Sequence, residues 1–252
     1  MNKRFMKYLC LALGIYLGLC AFLYVVQRKM IYIPSRARDD ALPIGFVDWR
    51  APSGHLLGYK RVGQSGDCLF FLHGNAGNAR SWAAATVAFP GDVFVLEYPG
   101  YGERNGAPSE ASLKQAALAA FDLLPVGARI VVCGESLGTG VTEILIRQRT
   151  ERINLLVLIT PFTSLQDMAR AQMPFIPTGL LLKDRMLLYD SWLAYPGRSW
   201  VVLAEHDEVI PQSQSKKYAD HAGINRKVMV RPNTTHNGMS LAKEDWARLL
   251  TP

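Results

Sequence analysis

The segment Arg129–Gly138, RIVVCGESLG, is a short apolar run followed by a serine between two glycines. A run of this length, rich in β-branched residues, predicts a buried strand, and the helical stretch SLGTGVTEILIRQR follows it directly. Gly134 and Gly138 let the backbone approach closely at a sharp strand-to-helix turn, which holds the Ser136 hydroxyl out above the sheet. Ser136 is therefore predicted to be a nucleophile, the alternative being an inert serine in a tight turn.

The chain around this segment alternates short apolar runs with helical stretches. The runs predict eight strands: Phe46–Arg50, Leu56–Arg61, Cys68–Leu72, Val93–Tyr98, Arg129–Cys133, Leu155–Ile159, Trp200–Leu203 and Lys227–Val230. The first two alternate apolar and polar residues, which is typical of an antiparallel edge, whereas the later ones are almost continuously apolar, as in parallel strands covered on both faces. Helices are predicted after Asn78 and Ser109, both good N-cap residues. The pattern predicts an α/β fold with a mostly parallel, eight-stranded, doubly wound sheet and an antiparallel N-terminal edge.

An uncharged apolar segment, Tyr8–Val26, precedes the sheet pattern and has basic residues on both sides. As a helix it covers roughly 28 Å, about the thickness of a bilayer core. A cleaved signal peptide is the alternative, but its apolar region is shorter and ends in a small-x-small site. Residues 1–38 are therefore expected to form an uncleaved membrane anchor, and residues 39–252 the catalytic domain. The N-terminus is expected inside and the domain outside the cytoplasm, although basic residues on both flanks give the positive-inside rule little to discriminate.

Composition restricts the possible classes of partner. The length of 252 residues suits one domain beyond the anchor, and 49% hydrophobic residues are too many for a disordered chain. Residues 1–38 hold seven of the 28 Lys and Arg and no Asp or Glu, so the net charge of +7 resides there and the rest is neutral. No nucleic acid partner is therefore expected. The four cysteines and five histidines show no zinc-type spacing, so no metal, no cofactor and no disulfide are expected.

A serine hydroxyl needs a base to remove its proton. For a serine in such a turn, the acid and then the histidine follow along the chain. His236, in NTTHNG after the last predicted strand, is the expected base, and Asp207, in LAEHDEVIP, is the expected acid. The acid would fix the imidazole tautomer and stabilise the imidazolium. Glu205 and Glu208 remain alternative acids.

Two N–H groups must also stabilise the oxyanion of the reaction. The backbone N–H of Leu137, directly after the serine, is the first. The second is expected from the loop FLHGNAGN, at Asn75 or alternatively at Ala76. His73 of the same loop is expected to brace it by hydrogen bonding, and His206 and His221 are expected at the surface.

Six motifs, FLHGNAGN, EYPGYG, PSE, GESLGTG, TPFTSL and EHDEVIP, together resemble the α/β-hydrolase superfamily. Within it the chain is most similar to the membrane-anchored serine hydrolases, which include protein depalmitoylases and bacterial relatives. The resemblance runs from about residue 46 to the C-terminus and implies an α/β-hydrolase fold. It implies these roles: Ser136 as nucleophile, Asp207 as acid, His236 as base, and Asn75 and Leu137 as oxyanion donors. Arg104 and Ala204 depart from the residues that are frequent in the family, and Arg104 is expected to alter the substrate mouth.

Residues 161–196 form the longest interruption of the strand–helix alternation. In this fold such a connection often supplies a cap, so its apolar residues are expected to line an acyl pocket; ordinary core packing is the alternative. These residues include Met168, Met173, Phe175, Ile176, Leu180, Leu181, Leu182, Met186 and Leu187.

The expected function is a membrane-anchored serine hydrolase that cleaves ester or thioester bonds of acylated or lipid-like substrates. A serine peptidase that cleaves amides is an alternative. A catalytically silent, anchored scaffold is another, since a fold does not dictate its function. The presence of Ser136, Asp207 and His236 together argues against the silent scaffold.

Overall fold

An eight-stranded sheet runs through the computed structural model, which describes residues 3–36 and 41–251 of the chain. Its strands are β1 (Val47–Arg50), β2 (Leu56–Arg61), β3 (Asp67–Leu72), β4 (Asp92–Leu96), β5 (Arg129–Glu135), β6 (Leu155–Ile159), β7 (Ser199–His206) and β8 (Arg226–Thr235). Their order is β1-β2-β4-β3-β5-β6-β7-β8. Strand β2 is antiparallel to both β1 and β4, and all other neighbours are parallel. The predicted fold class is confirmed.

Helices connect the strands and cover both faces of the sheet. They are α1 (Lys3–Ile31), α2 (Ala79–Ala83), α3 (Glu110–Phe121), α4 (Leu137–Gln148), α5 (Leu165–Gln172), α6 (Thr178–Leu181), α7 (Leu188–Ala194), α8 (Gln212–Asp220) and α9 (Lys243–Leu250). The predicted caps are present: the side chains of Asn78 and Ser109 accept hydrogen bonds from the third residues of α2 and α3. Helix α8 was not predicted, because QSQSKKYAD is almost wholly polar and lacks an apolar stripe.

Two hydrophobic layers sandwich the sheet. Successive residues of a strand point to opposite faces, so Phe70 and Leu72 of β3 join one layer while Leu69 and Phe71 join the other. All four are buried. Burial on both faces explains why the central strands are continuously apolar in sequence.

Strands β7 and β8 extend beyond the predicted segments, to His206 and Thr235. Apart from the buried Ala204, the additional residues at their C-terminal ends are exposed or partly exposed, and all of these but Pro232 are polar, so they carry little apolar signal. In the sheet His206 pairs with Thr235 across the two parallel strands. Asp207 directly follows β7 and His236 directly follows β8. The two residues therefore leave the sheet side by side at the same edge.

Helix α1 is long and apolar enough, by length and composition, to cross a membrane, and nearly all of its surface is exposed. Residues 1, 2, 37 and 38 of the predicted anchor lie outside the described residues. The C-terminal end of α1 contacts the folded domain, where Arg28 forms a two-bond salt bridge with Asp184, at 3.0 and 3.1 Å. Tyr32, directly after the helix, donates a hydrogen bond to the same carboxylate. The C-terminal end of the predicted anchor is thus packed against the domain.

Candidate active site

The turn between β5 and α4 holds Ser136 in an unusual backbone conformation, with φ of 48° and ψ of −115°. Non-glycine residues rarely adopt a positive φ, and such strain clusters at functional sites. The Ser136 N–H donates to the carbonyl of Ile159, which ties the turn to the neighbouring strand β6.

The two glycines of the turn are required by close backbone approach. A Cβ atom added at Gly138 would lie 1.9 Å from the carbonyl oxygen of Leu72, and one added at Gly134 would lie 2.8 Å from that of Gly138. Only glycine therefore lets α4 begin so close to β3 and β5. The two glycines of the motif GESLG thus permit this close packing.

The structure brings Ser136, His236 and Asp207 together although they are far apart in sequence. His236 Nε2 lies 2.9 Å from Ser136 Oγ, and His236 Nδ1 lies 3.0 Å from each Asp207 carboxylate oxygen. A carboxylate only accepts hydrogen bonds, so Nδ1 carries the proton and Nε2 is free to accept the proton of the serine hydroxyl. The Asp207 and His236 side chains are largely buried, with 4% and 8% of their surface exposed.

The hydrogen bonds around Asp207 keep its carboxylate ionised. Burial by itself would raise the pKa of this group, but the hydrogen bonds from His236 and from the backbone N–H groups of Ile210 and Val209 outweigh burial and lower the pKa. A negative charge therefore faces the imidazole ring of His236.

The alternative acids do not contact the imidazole ring. Glu208 Oε2 accepts a hydrogen bond from the backbone N–H of His236 at 2.8 Å, and this bond lowers the Glu208 pKa. Glu205 likewise accepts from the backbone N–H of Asn233 at 2.8 Å. Both glutamates fasten the loop that carries His236. This role was not foreseen, since acidic residues beside a predicted acid have no distinguishing sequence signal.

The predicted oxyanion donors lie beside the serine. Asn75 and Leu137 line the same cavity as Ser136. Leu137 is the first residue of α4, so its N–H has no acceptor within the helix. Ala76 has a φ of 55°, is exposed and does not line the cavity, so Asn75 is the better-placed of the two alternatives.

The loop that carries Asn75 is braced by a buried polar network around His73. His73 Nδ1 lies 2.7 Å from the carbonyl oxygen of Gly74, and Nε2 lies 3.3 Å from Glu97 Oε1. The Tyr98 hydroxyl donates to the carbonyl of His73 at 2.9 Å. Arg104 donates to the carbonyl of Glu97 and does not line the cavity, so it supports this network rather than the substrate mouth. His206 and His221 are exposed at the surface.

The side chain of Asn75 joins the loop to the end of α1. Its Oδ1 accepts from the Ile33 N–H at 2.9 Å and from the Tyr101 hydroxyl at 2.7 Å, and its Nδ2 donates to the Ile31 carbonyl at 2.6 Å. No sequence signal indicates this contact, because the partners are more than 40 residues apart along the chain. The candidate oxyanion loop and the residues at the end of α1 are therefore one hydrogen-bonded unit.

An apolar cavity of about 360 Å³ opens above Ser136. The cap segment contributes Met168, Met173 and Ile176, as expected, and α1 contributes a second wall that was not expected. Phe175 and Leu180 were also expected to line a pocket, but 88% and 85% of their surfaces are exposed. No charged side chain lines the cavity among the residues that the structure describes. The cavity suits an uncharged, apolar group.

Glu135, directly before Ser136, is a buried carboxyl group that the triad does not use. Burial raises its pKa to about 8. In the unfolded chain a glutamate has a pKa of about 4.3, so between these values the unfolded state has lost a proton that the folded state keeps. The contribution of Glu135 to the free energy of unfolding is therefore largest below the pKa of the unfolded chain. It falls as the pH rises toward 8, by up to about 1.4 kcal/mol per pH unit.

Glu135→Gln is expected to remove this pH dependence, because the amide does not titrate. The free energy of unfolding, measured with urea at pH 5 and pH 8, should differ less in the variant than in the wild type. Glu244→Gln, at an exposed position in α9, serves as the control and should retain the wild-type difference. Equal pH dependence in wild type and Glu135→Gln would contradict the prediction.

Several known proteins are similar to this chain. The model of the Alpha/beta hydrolase family matches residues 69–252. An uncharacterized protein of Mycobacterium tuberculosis strain H37Rv is 31% identical, over 89% of this chain and 85% of its own. The lysophosphatidylserine lipase ABHD12 of Gallus gallus is 28% identical, over 66% of this chain and 50% of its own. The solved structure of the Pyrococcus furiosus esterase Pf2001 has a TM-score of 0.58 and 16% identity, covering 86% of this chain and 93% of its own.

Proposed function

Because the chain belongs to the alpha/beta hydrolase family, we propose that it is a membrane-anchored serine hydrolase that cleaves ester or thioester bonds of acylated, lipid-like substrates. The observation that carries the proposal is the continuous hydrogen-bonded line from Asp207 through His236 to Ser136, which ends at an apolar cavity. The esterase and lipase among the similar proteins support the same class of reaction.

In the first half of the reaction, Ser136 Oγ attacks the carbonyl carbon of the ester or thioester. His236 Nε2 takes the hydroxyl proton, and the negative charge of Asp207 stabilises the imidazolium that forms. The carbonyl oxygen becomes an oxyanion, which the backbone N–H groups of Asn75 and Leu137 stabilise. Each donor removed from such a site typically costs about 10²- to 10³-fold in kcat.

In the second half, His236 returns its proton to the leaving alcohol or thiol as the carbon–oxygen or carbon–sulfur bond breaks. The acyl group stays on Ser136 as an ester. A water molecule then attacks this ester while His236 takes a proton from the water, and the fatty acid leaves as Ser136 regains its hydroxyl proton.

The anchor supports a location at a membrane. Helix α1 has the length and composition of a membrane-spanning segment, and its C-terminal end packs beside the cavity. We place the N-terminus in the cytoplasm and the catalytic domain outside it. Protease added to intact cells should digest the domain. Digestion only after the cells are lysed would indicate the opposite orientation.

A fluorophosphonate probe, which reacts covalently with activated serines, tests the proposal. The wild-type protein should be labelled at Ser136, as located by mass spectrometry of its peptides, and Ser136→Ala should not be labelled. Folded wild-type protein that does not react would instead favour a silent scaffold. Parallel assays with p-nitrophenyl esters of graded length, acyl thioesters and aminoacyl amides then rank ester, thioester and peptidase activity.

A further inference from the structure

The end of the cap is an exposed apolar surface. We define the cap tip as residues 173–181, MPFIPTGLL, between α5 and the end of α6; it contains no charged residue. Two of its large apolar side chains, Phe175 and Leu180, are among the most exposed apolar side chains of the described residues. A contiguous exposed apolar surface often marks a site of interaction with a membrane or a partner.

The cap tip lies along α1. The Tyr16 hydroxyl donates to the carbonyl of Phe175 at 3.0 Å, and Gln27 Nε2 donates to the carbonyl of Leu181 at 3.0 Å. Tyr16 and Gln27 are separated by roughly 16 Å along the helix axis. The tip thus extends from the C-terminal end of α1 to about the middle of its apolar segment, the part that would lie deepest in a bilayer.

Charged side chains contact the C-terminal parts of α1 and of the cap tip, where Arg185 donates to the carbonyl of Gly179 at 3.1 Å. Arg28 of α1 pairs with Asp184, and Lys183 stands over the ring of Tyr24 at 4.0 Å. Lys183 and Asp184 follow the cap tip in sequence, and together with Arg28 they mark the level where charged side chains can reach water. From there toward Tyr16 the surfaces of both α1 and the tip are uncharged.

Much of the backbone of the cap tip is hydrogen-bonded within the protein, which lowers the cost of placing it in a medium without water, where an unpaired N–H or C=O is costly. Pro174 and Pro177 have no N–H, and the N–H groups of Met173, Ile176 and Thr178 donate to carbonyls of the same segment or of α5. The carbonyl of Phe175 is satisfied by Tyr16 of α1. An irregular loop usually leaves more of its backbone to solvent.

The cavity above Ser136 lies between these two elements. Helix α1 lines it with Leu23, Gln27 and Met30, and the cap tip lines it with Met173 and Ile176 among others. Both walls of the cavity thus belong to elements whose outer faces are apolar and exposed. An acyl chain could pass from hydrocarbon into the cavity without crossing a charged surface.

We propose that the cap tip is embedded in the same bilayer as α1, and that the cavity takes the fatty acyl chain of a membrane lipid directly from the hydrocarbon layer. The substrate class is a lipid ester or thioester whose chain remains in the leaflet while its carbonyl reaches Ser136. The second part rests on the proposed hydrolase function; the first part does not.

A depth measurement tests the embedding without any reaction. In a Cys10→Ser background, Phe175→Cys is labelled with an environment-sensitive fluorophore and the full chain is reconstituted into phosphatidylcholine vesicles. Val126→Cys, at a 99% exposed position on the loop before β5, is the control. The label at 175 should be quenched by lipids that carry a quencher on the acyl chain and protected from aqueous iodide, with the opposite result at 126.

Other results of the depth measurement would overturn the embedding. Iodide quenching at 175 equal to that at 126 would put the tip in water. Protection at 175 from both quenchers would show that protein, such as a second copy of the chain, covers the tip.

An activity measurement tests the route of the acyl chain. Phe175→Asp should lower kcat/KM at least tenfold for a long-chain ester presented in vesicles and change it less than twofold for soluble p-nitrophenyl acetate. Val126→Asp should leave both within twofold. Equal losses on both substrates in Phe175→Asp would overturn the route. Absence of wild-type activity on either ester would count against the proposed hydrolase instead, with the depth result unaffected.

Discussion

Replacing His236 with alanine is expected to lower kcat/KM for a short ester by roughly 10⁴- to 10⁶-fold while the protein remains folded. Among the described residues, the imidazole of His236 is the only side chain that hydrogen-bonds to the Ser136 hydroxyl, at 2.9 Å, so no other side chain is placed to remove the proton. The loss measures the whole proton-transfer unit, because Ser136 and Asp207 act through this ring. A p-nitrophenyl ester assay and a fluorophosphonate reaction rate would both report it.

His206→Ala is the matched control for this experiment. His206 directly precedes the acid Asp207, yet 62% of its side chain is exposed and it lies near Glu205 rather than the serine. Its removal should change kcat/KM less than twofold. If His236→Ala retained more than a tenth of wild-type activity with the circular dichroism spectrum unchanged, His236 could not be the base.

The second large effect is expected on stability. Gly138→Ala should destabilise the fold by about 3 kcal/mol or more, because its Cβ would lie 1.9 Å from the Leu72 carbonyl oxygen, a backbone atom of a central buried strand. Helix α4 would have to move away from β3 to admit one methyl group. For a domain of this size the loss corresponds to a fall in Tm of roughly 6–12 °C.

Gly66→Ala provides the comparison, since a Cβ at residue 66 meets no atom within 4 Å. Its Tm should stay within about 2 °C of wild type, consistent with the small effects of most surface substitutions. Thermal unfolding of the two variants in the same detergent gives the measurement. A Gly138→Ala protein as stable as Gly66→Ala would contradict the close approach of α4 to β3.

The central sheet and the candidate triad were predictable because their sequence signals lie within short segments or follow a fixed order along the chain. Strands β3, β5 and β6 are buried on both faces and therefore continuously apolar, which the sequence shows directly. Ser136 is identified by its own turn, and Asp207 and His236 follow predicted strands. Parallel strands bring their C-terminal ends to one edge, so the three positions were expected to meet.

The remainder depends on contacts between distant parts of the chain. Phe175 points outward rather than into the pocket because of how the cap packs on α1. The sequence of an apolar segment does not indicate which of its side chains point outward. Helix α8 buries little more than Gln214 and Tyr218, too few residues for a recognisable period. The wall that α1 gives to the cavity could not be predicted either, since the anchor was treated as separate from the domain.

The pairing of Asn75 with the residues after α1 limits how the protein can be re-engineered. Ile31 and Ile33 engage the Asn75 amide, and Ser35 exchanges backbone hydrogen bonds with Gly77 and Gly102. A helix borrowed from an unrelated membrane protein would still hold the domain at a bilayer, but it would keep these interactions only if the backbone of residues 31–35 retained its present path. Likewise, a protein truncated to residues 39–252 would lose these interactions altogether. Low activity of such a truncated protein would then reflect disorder of the loop that carries Asn75, and it would not show that the wrong substrate had been tested.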